Sequence, residues 1–199
     1  MSANQDRQDG HGPRAPSAWI VRFAPLVPEG AAVLDLACGA GRHTRYFLKR
    51  GHPVTAVDID TGGLADLAGT PGLDVITVDL ESGAPWPLAE RRFGAVVVTN
   101  YLWRPLFPQI IAAVDEGGVL LYETFALGNE VYGRPAKPEF LLRPGELIDQ
   151  VHGKLQIVAY EHGHTERPRP SIRQRICAVR SDRPASLCLD RLGGEGNLS

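Results

Sequence analysis

The sequence predicts an α/β fold with a doubly wound, seven-stranded, mostly parallel sheet that ends in an antiparallel hairpin. Five short apolar runs rich in β-branched residues alternate with helical or turn-rich stretches, as crossovers between parallel strands require. These runs are nearly continuous in apolar residues, a pattern typical of strands buried on both faces. Two further strand-like runs follow, and the loop between them is too short for a helical crossover, so these two strands should pair antiparallel.

Each predicted element corresponds to a short stretch of sequence. A helix should begin near Gly41, and another is expected over 143–152 because Leu147, Ile148 and Val151 are spaced to face a core. The hairpin is predicted from LQIVAYEHG and SIRQRICAVRS, which flank the charged, proline-rich turn HTERPRP. The five parallel strands are predicted from AAVLDLA at 31–37, PVTAVDID at 53–60, LDVITVDL at 73–80, FGAVVVTN at 93–100 and GGVLLYETF at 117–125.

Composition predicts one domain between two tails. The 199 residues are 43% hydrophobic and 22% charged, which suits a single soluble domain with a sizeable core. Both ends are polar and rich in glycine, proline or charge, so neither end can bury much apolar surface. We therefore expect a mobile tail at 1–16, one domain over 17–181 and a second mobile tail at 182–199.

Charge and cysteine content exclude several classes of protein. The 21 basic and 23 acidic side chains give a formal charge of -2, so tight binding to nucleic acid or to an anionic membrane is not expected. No apolar run approaches the roughly 20 residues that span a bilayer, and the first 16 residues lack the apolar core of a signal peptide, so a cytoplasmic location is expected. The three cysteines, Cys38, Cys177 and Cys188, have no C-x-x-C spacing, which argues against a disulfide framework or a cysteine-based zinc site.

The segment VLDLACGAGRHT at 33–44 carries the strongest local signal. An apolar strand runs into a turn of small residues and then into a helix, and only small side chains let a ligand touch the backbone of such a turn. In open α/β sheets the ligand crevice lies at the carboxyl ends of the strands, where this turn would lie. Gly39 and Gly41 form only part of the dinucleotide-binding pattern, since Thr44 stands where a third glycine would be, and the motif alone is weak.

Carboxylates at the next two strand ends strengthen this motif. Asp58 follows the second strand, where it could accept both hydroxyl protons of a ribose and would repel a 2′-phosphate. Asp79 and Leu80 follow the third strand and offer an acceptor for an exocyclic amino group beside apolar surface for a purine. Three successive strand ends thus predict sites for the polar head, ribose and base of a nucleoside cofactor.

With these motifs, residues 17–181 resemble the class I S-adenosylmethionine-dependent methyltransferases, which have a Rossmann-like fold. The resemblance implies that the first turn binds the methionine part of S-adenosylmethionine, Asp58 its ribose and Asp79 with Leu80 its adenine. Ala37 stands where the family more often has glycine; its methyl is harmless at ordinary φ but strained at positive φ. The full set of cofactor-binding residues expected from the resemblance is Asp35, Ala37, Gly39, Gly41, Asp58, Ile59, Asp79, Leu80 and Asn100.

The stretch ETFALGNEVYGRPAKPEFLLRPGEL at 123–147 resembles that of small bacterial methyltransferases of the tellurite-resistance and general small-molecule type. The residues Asn100-Tyr101-Leu102-Trp103 differ from the N-P-P-Y pattern of enzymes that methylate exocyclic or amide nitrogens, which argues against a base-flipping DNA methyltransferase. A small-molecule acceptor is therefore expected, with neither a nucleic-acid nor a membrane partner. The irregular insert at 126–142 is either a lid over the acceptor or a cover for the edge of the sheet.

The catalytic residues are not identified by sequence. In-line transfer of an activated methyl group depends mainly on positioning, and a general base is needed only for an acceptor with a high pKa. Tyr101 and Glu123 are weak candidates for such a base, and His162 a weaker one. No metal is expected, because Glu161, His162 and His164 supply only part of a site.

Structural roles and two other functions remain open. Asp79 could simply cap the following helix, and Cys38 could be a small buried side chain. The arginines at 167, 169, 173 and 175 could bind an acidic substrate or a phosphate, but they are expected largely on one solvated face. An NAD-dependent oxidoreductase would share the glycine turn and the ribose carboxylate, but none of the three lysines fits a Tyr-x-x-x-Lys pair. A methyltransferase-like module that binds without catalysis is the other alternative.

Overall fold

The computed structural model describes residues 15–181. The last two residues of the predicted amino-terminal tail are included; the rest of that tail and the whole carboxyl-terminal tail lie outside the described residues. The strands are β1 (Val33–Leu36), β2 (Val54–Asp58), β3 (Leu73–Thr77), β4 (Phe93–Thr99), β5 (Val114–Phe125), β6 (Gln156–Thr165) and β7 (Ser171–Val179). The α-helices are α1 (Ala18–Phe23), α2 (Arg42–Lys49), α3 (Phe107–Ala112) and α4 (Glu146–Val151). Short 3₁₀ turns lie at Ala24–Leu26, Gly62–Leu67, Arg104–Leu106, Asn129–Val131 and Pro138–Phe140.

The seven strands form one sheet in the order β3-β2-β1-β4-β5-β7-β6. Strands β1 to β5 pair in parallel, whereas β7 pairs antiparallel with both β5 and β6. This arrangement confirms the predicted fold class and the hairpin. The strand order reverses between β1 and β4, so the carboxyl ends of these two strands border the crevice where open α/β sheets bind ligands.

Helices cover both faces of the central strands. Along β4, Val96 and Val98 belong to one buried cluster with α3 and α4, whereas Ala95 and Val97 belong to another with α1 and α2. Alternate residues of a strand face opposite sides of the sheet, so the two clusters are the two halves of a doubly wound core. None of the described helices is long and apolar enough to cross a membrane.

The edge strand β3 departs from the predicted burial. The sequence suggests that every parallel strand is covered on both faces, but Val75 is 41% exposed and β3 has no fully buried residue. The reason is the connection at 78–92, which is helix-free and carries Gly83, Pro85 and Pro87. Because proline lacks the N–H group that a helix interior requires, this connection supplies no helix to cover β3.

Candidate functional site

The turn between β1 and α2 is built from left-handed backbone conformations. Gly39 and Gly41 have φ values of 55° and 73°, and Ala37 has a φ of 53°. The turn is closed by a hydrogen bond from the Gly41 amide to the Cys38 carbonyl, 2.9 Å long. Ala37 therefore adopts the conformation in which its methyl group is strained, the less favourable of the two outcomes considered from sequence.

The two glycines are required for different reasons. A Cβ atom added to Gly39 would meet no atom within 4 Å, so its side-chain direction opens onto empty space above the turn. A Cβ atom added to Gly41 would lie 2.1 Å from Cδ2 of Leu64. Gly39 thus leaves room for a ligand, whereas Gly41 lets the turn pack closely against the next connection.

Asp58 joins the end of β2 to this turn. Its carboxylate is buried and accepts hydrogen bonds from the Gly39 amide at 2.8 Å and from the Asp60 amide at 3.0 Å, one on each oxygen. An ionised carboxylate has about four acceptor positions, so each oxygen keeps further acceptor capacity. The residue therefore orients the turn and can still accept hydrogen bonds from a pair of vicinal hydroxyl groups.

Asp35 lies behind the turn. Its side chain is 1% exposed, and one carboxylate oxygen accepts hydrogen bonds from both the Thr44 amide at 2.8 Å and the Thr44 hydroxyl at 2.6 Å. Burial raises the pKa of Asp35 to about 6. These contacts hold the first turn of α2 against β1, so Asp35 positions the glycine turn from within the core.

The end of β3 has an exposed hydrogen-bond acceptor and apolar surface. Asp79 is exposed and accepts a hydrogen bond from the Glu81 amide at 2.8 Å. The alternative that it caps a following helix is wrong, because residues 78–92 contain no helix and Asp79 closes a turn instead. Burial and the neighbouring Asp79 raise the pKa of Glu81. Ile59 is 43% exposed and Leu80 is half-buried, and both present apolar surface beside these carboxylates.

Tyr101 lies beside the carboxylates at the ends of β2 and β3. Burial and the negative charges of Glu81, Asp79 and Asp58 raise the pKa of its phenol. Its hydroxyl is buried and has no hydrogen-bond partner among residues 15–181. A phenol with a raised pKa stays protonated at neutral pH, so this side chain is not poised to act as a general base.

Glu123 belongs to an alternating row of charges. Its buried carboxylate lies 3.2 Å from Nε of Arg175, and Nη1 of Arg175 donates to Glu161 at 3.1 Å. Arg22 donates to the other oxygen of Glu161 at 3.2 Å. The row connects α1, β5, β6 and β7, and it holds Glu123 in an ion pair. His162, the third candidate base, is exposed on β6.

Asn100 follows β4 and contacts the hairpin. Its φ is 56°, a conformation that asparagine tolerates better than most residues, and its Oδ1 accepts a 2.7 Å hydrogen bond from Nη1 of Arg173. The prediction of one solvated face of arginines is wrong for Arg173 and Arg175, which are half-buried and paired with other side chains. The antiparallel register that opposes Glu123 to Arg175 cannot be read from either segment alone.

His43 is a site residue that the sequence does not single out. It is buried, and burial lowers its pKa to about 3, so the imidazole is neutral at physiological pH. Nε2 accepts a hydrogen bond from the Ser17 amide at 3.1 Å, which leaves the proton on Nδ1, 3.5 Å from the Thr99 hydroxyl. The ring therefore links the amino-terminal segment to the end of β4. Cys38 is buried and its thiol has a raised pKa, in keeping with a structural role.

The insert at 126–142 is fastened at both ends. Ala126 forms a backbone bridge with Leu142, and Arg104 donates to the carbonyls of Glu139 and Leu141 while binding the buried Glu146 carboxylate with two nitrogens. Between these ends Val131 and Tyr132 are 76% and 47% exposed. A lid could therefore involve only the tip of the insert, and its closure stays a prediction. Within 15–181, no group of three His, Cys, Asp or Glu residues could hold a metal ion.

Comparison with known proteins gives a matching domain and a shared fold. Residues 33–118 match the model of a family described as a methyltransferase domain. No curated protein matches the chain in sequence. TehB from Haemophilus influenzae is 20% identical with a TM-score of 0.64; the alignment covers 81% of this chain and 61% of TehB, less than two thirds of its length.

Two other solved structures share the fold. The 1,6-didemethyltoxoflavin-N1-methyltransferase of Burkholderia thailandensis, with bound 1,6-didemethyltoxoflavin and S-adenosylhomocysteine, is 22% identical with a TM-score of 0.62, over 83% of this chain and 77% of that one. A TehB-like SAM-dependent methyltransferase from Corynebacterium glutamicum is 20% identical with a TM-score of 0.57, over 81% of this chain and 86% of that one. Residues 33–118 thus match a methyltransferase domain, and the chain shares its fold with S-adenosylmethionine-dependent methyltransferases.

Proposed function

We propose that the chain transfers the methyl group of S-adenosylmethionine to a small-molecule acceptor. The observation that carries the proposal is the Asp58 carboxylate, which is held by the Gly39 amide at 2.8 Å and keeps acceptor capacity beside the open space above Gly39. In this proposal the turn from Ala37 to Gly41 binds the methionine part and Asp58 the ribose. The neighbouring Ile59, Asp79, Leu80 and Asn100 complete the cofactor site.

The chemistry requires positioning more than proton transfer. When bound, the cofactor supplies a sulfonium-activated methyl carbon, to which the acceptor's lone pair bonds as the carbon–sulfur bond breaks and leaves its electron pair on sulfur. Glu123 is held in its ion pair with Arg175, and Tyr101 stays protonated, so neither is free to take a proton. The proposed acceptor atom therefore carries a lone pair at neutral pH, as a thiolate, selenide or carboxylate does.

Two features, one of a structural relative and one of the chain, support a small acceptor. The Burkholderia enzyme has 1,6-didemethyltoxoflavin and S-adenosylhomocysteine bound. The formal charge of -2 gives no broad basic surface for DNA or RNA. One catalytic domain over 17–181 and a cytoplasmic location complete the proposal.

The test is cofactor binding by Asp58→Ala, measured by isothermal titration calorimetry with S-adenosylhomocysteine. Loss of a charge-assisted hydrogen-bond pair, worth about 1.5–3 kcal/mol, should weaken binding more than tenfold. Asp74→Ala, which removes the same charge from an exposed position on β3, is the matched control and should bind as the wild type does.

Two outcomes would contradict the proposal. Unchanged affinity in a folded Asp58→Ala protein would show that the carboxylate does not bind the ribose. Binding of NAD in place of S-adenosylhomocysteine by the wild type would favour an oxidoreductase instead.

A further inference from the structure

The turn end of the β6–β7 hairpin borders a polar hollow of about 130 Å³. It is lined chiefly by charged and imidazole side chains, namely Glu161, His162, His164, Arg173 and Arg175. A space of this size accommodates a carboxylate with a small carbon skeleton attached to it. None of the cofactor residues proposed above lines it, so the hollow is a separate feature of the sheet.

One side chain connects the hollow to the cofactor crevice. Arg173, which lines the hollow, donates to Oδ1 of Asn100 at 2.7 Å. Asn100 follows β4, and its amide donates to the Glu123 carbonyl at 3.0 Å. Since β4 ends beside the reversal of strand order that marks the crevice, a ligand in the hollow would lie next to the space where the methyl group is transferred.

The two guanidinium groups are held in fixed orientations. Cζ of Arg173 lies 4.1 Å from the centre of the Phe125 ring, and Nε donates to the Ser171 hydroxyl at 3.1 Å. Arg175 is clamped between Glu123 and Glu161, at 3.2 Å and 3.1 Å. Side chains that are already ordered lose little conformational entropy when a ligand binds, which favours affinity.

The charge of the lining favours an anion. Arg175 is balanced by the carboxylates of Glu123 and Glu161, whereas Arg173 lines the hollow and its contacts described above are with the neutral Asn100, Ser171 and Phe125. A planar guanidinium matches a carboxylate with two parallel hydrogen bonds. At the insert, Tyr132 is half-exposed with its ring centre 5.1 Å from that of His164, so an apolar surface borders the same end of the hairpin.

We propose that the methyl acceptor carries a carboxylate group that binds in this hollow on Arg173. The rest of the acceptor then extends past Asn100 towards the cofactor. This assignment rests on the proposed methyltransferase function, because it gives the hollow the role of the acceptor's anchoring subsite. Arg173 is thus a specificity-determining residue, and the reacting atom lies elsewhere in the acceptor.

The experiment uses benzoate as the probe, with benzamide as its neutral counterpart and inorganic phosphate as an alternative anion. Each is titrated by calorimetry into the full chain, with and without saturating S-adenosylhomocysteine, up to about 10 mM, a range suited to a weak ligand of this size. The wild type should bind benzoate and not benzamide. Arg173→Gln should weaken benzoate binding at least tenfold and S-adenosylhomocysteine binding by a smaller factor, because the cofactor site loses only the Arg173 contact to Asn100.

Two further variants serve as controls for the loss of charge and for folding. Arg167→Gln removes a positive charge from the exposed hairpin turn and should bind benzoate like the wild type. Arg173→Lys keeps the charge but loses the planar fork, so it should bind benzoate with intermediate affinity; it also serves if Arg173→Gln fails to fold.

Three results would overturn the carboxylate subsite: no benzoate binding by the wild type, equal binding of benzamide, or equal benzoate binding by the Arg173 variants. Binding of phosphate in place of benzoate would also overturn it. Failure of the wild type to bind S-adenosylhomocysteine would instead contradict the proposed function, and the titrations without that ligand still test the hollow independently.

Discussion

Replacing Ala37 by glycine should stabilise the protein. Ala37 has a φ of 53°, and an L-residue in this left-handed region is disfavoured by roughly 1–2 kcal/mol, a penalty that glycine does not have. Glycine in turn loses about 0.5–1 kcal/mol more conformational entropy on folding. The methyl group is only half-buried, so its removal costs little packing. The free energy of unfolding of Ala37→Gly should therefore exceed that of the wild type by roughly 0.5–1 kcal/mol.

Thermal unfolding followed by circular dichroism measures this effect. For a domain of this size, about 1 kcal/mol corresponds to roughly 2–4 °C, so Ala37→Gly should raise Tm by about 1–4 °C. Two controls separate strain from site chemistry. Ala89 has a φ of 45° in an exposed connection, and Ala89→Gly should raise Tm similarly. Ala40 lies in the same turn as Ala37 without a positive φ, and Ala40→Gly should lower Tm.

A fall in Tm for Ala37→Gly, matching that of Ala40→Gly, would refute this reasoning. It would mean that the methyl group of Ala37 contributes more by packing than its backbone conformation costs. A rise at Ala89 with a fall at Ala37 would locate that packing contribution in the cofactor turn itself.

Two further predictions follow from the same region. Gly39→Val should abolish S-adenosylhomocysteine binding in calorimetry with most of the fold retained, because its side chain enters open space. Both glycines have positive φ, so valine is strained at either position, but Gly41→Val should lower Tm further because its Cβ also meets Leu64; equal Tm values for the two variants would contradict this distinction. Asp35 has a folded pKa of about 6, above its usual 3.8, so its contribution to the free energy of unfolding is lost as pH rises from about 4 to 6. The free energy of unfolding of Asp35→Asn, measured by urea denaturation relative to the wild type, should therefore increase by roughly 3 kcal/mol between pH 4 and pH 6. If the difference in free energy of unfolding between the two proteins does not change with pH, the raised pKa is refuted.

Local patterns were enough to predict most of the fold and the position of the glycine turn. Continuous apolar runs mark β1, β2 and β4, because strands buried on both faces need no polar residues. The same pattern is misleading at β3, because the burial of this strand depends on whether the following connection contains a helix that covers it. Pro85 and Pro87 leave that connection without a helix.

The missed features depend on contacts between residues far apart in sequence. Arg173 meets Asn100, and His43 meets Ser17, only because the sheet order brings those segments together. The pairing of Glu123 with Arg175 requires the antiparallel register of β5 and β7. A single sequence without the fold contains no local signal for such pairs.

The position of β7 has a consequence for how the chain folds during synthesis. Although β7 is the last strand of the described residues, it lies inside the sheet, between β5 and β6. Until Ser171–Val179 has left the ribosome, the edge of β5 has unpaired backbone groups and β6 has no neighbouring strand. A nascent chain stalled before this point exposes a long apolar strand edge that can pair with other chains. Completion of the sheet therefore waits for Ser171–Val179, and the edge of β5 is an aggregation risk until that segment pairs.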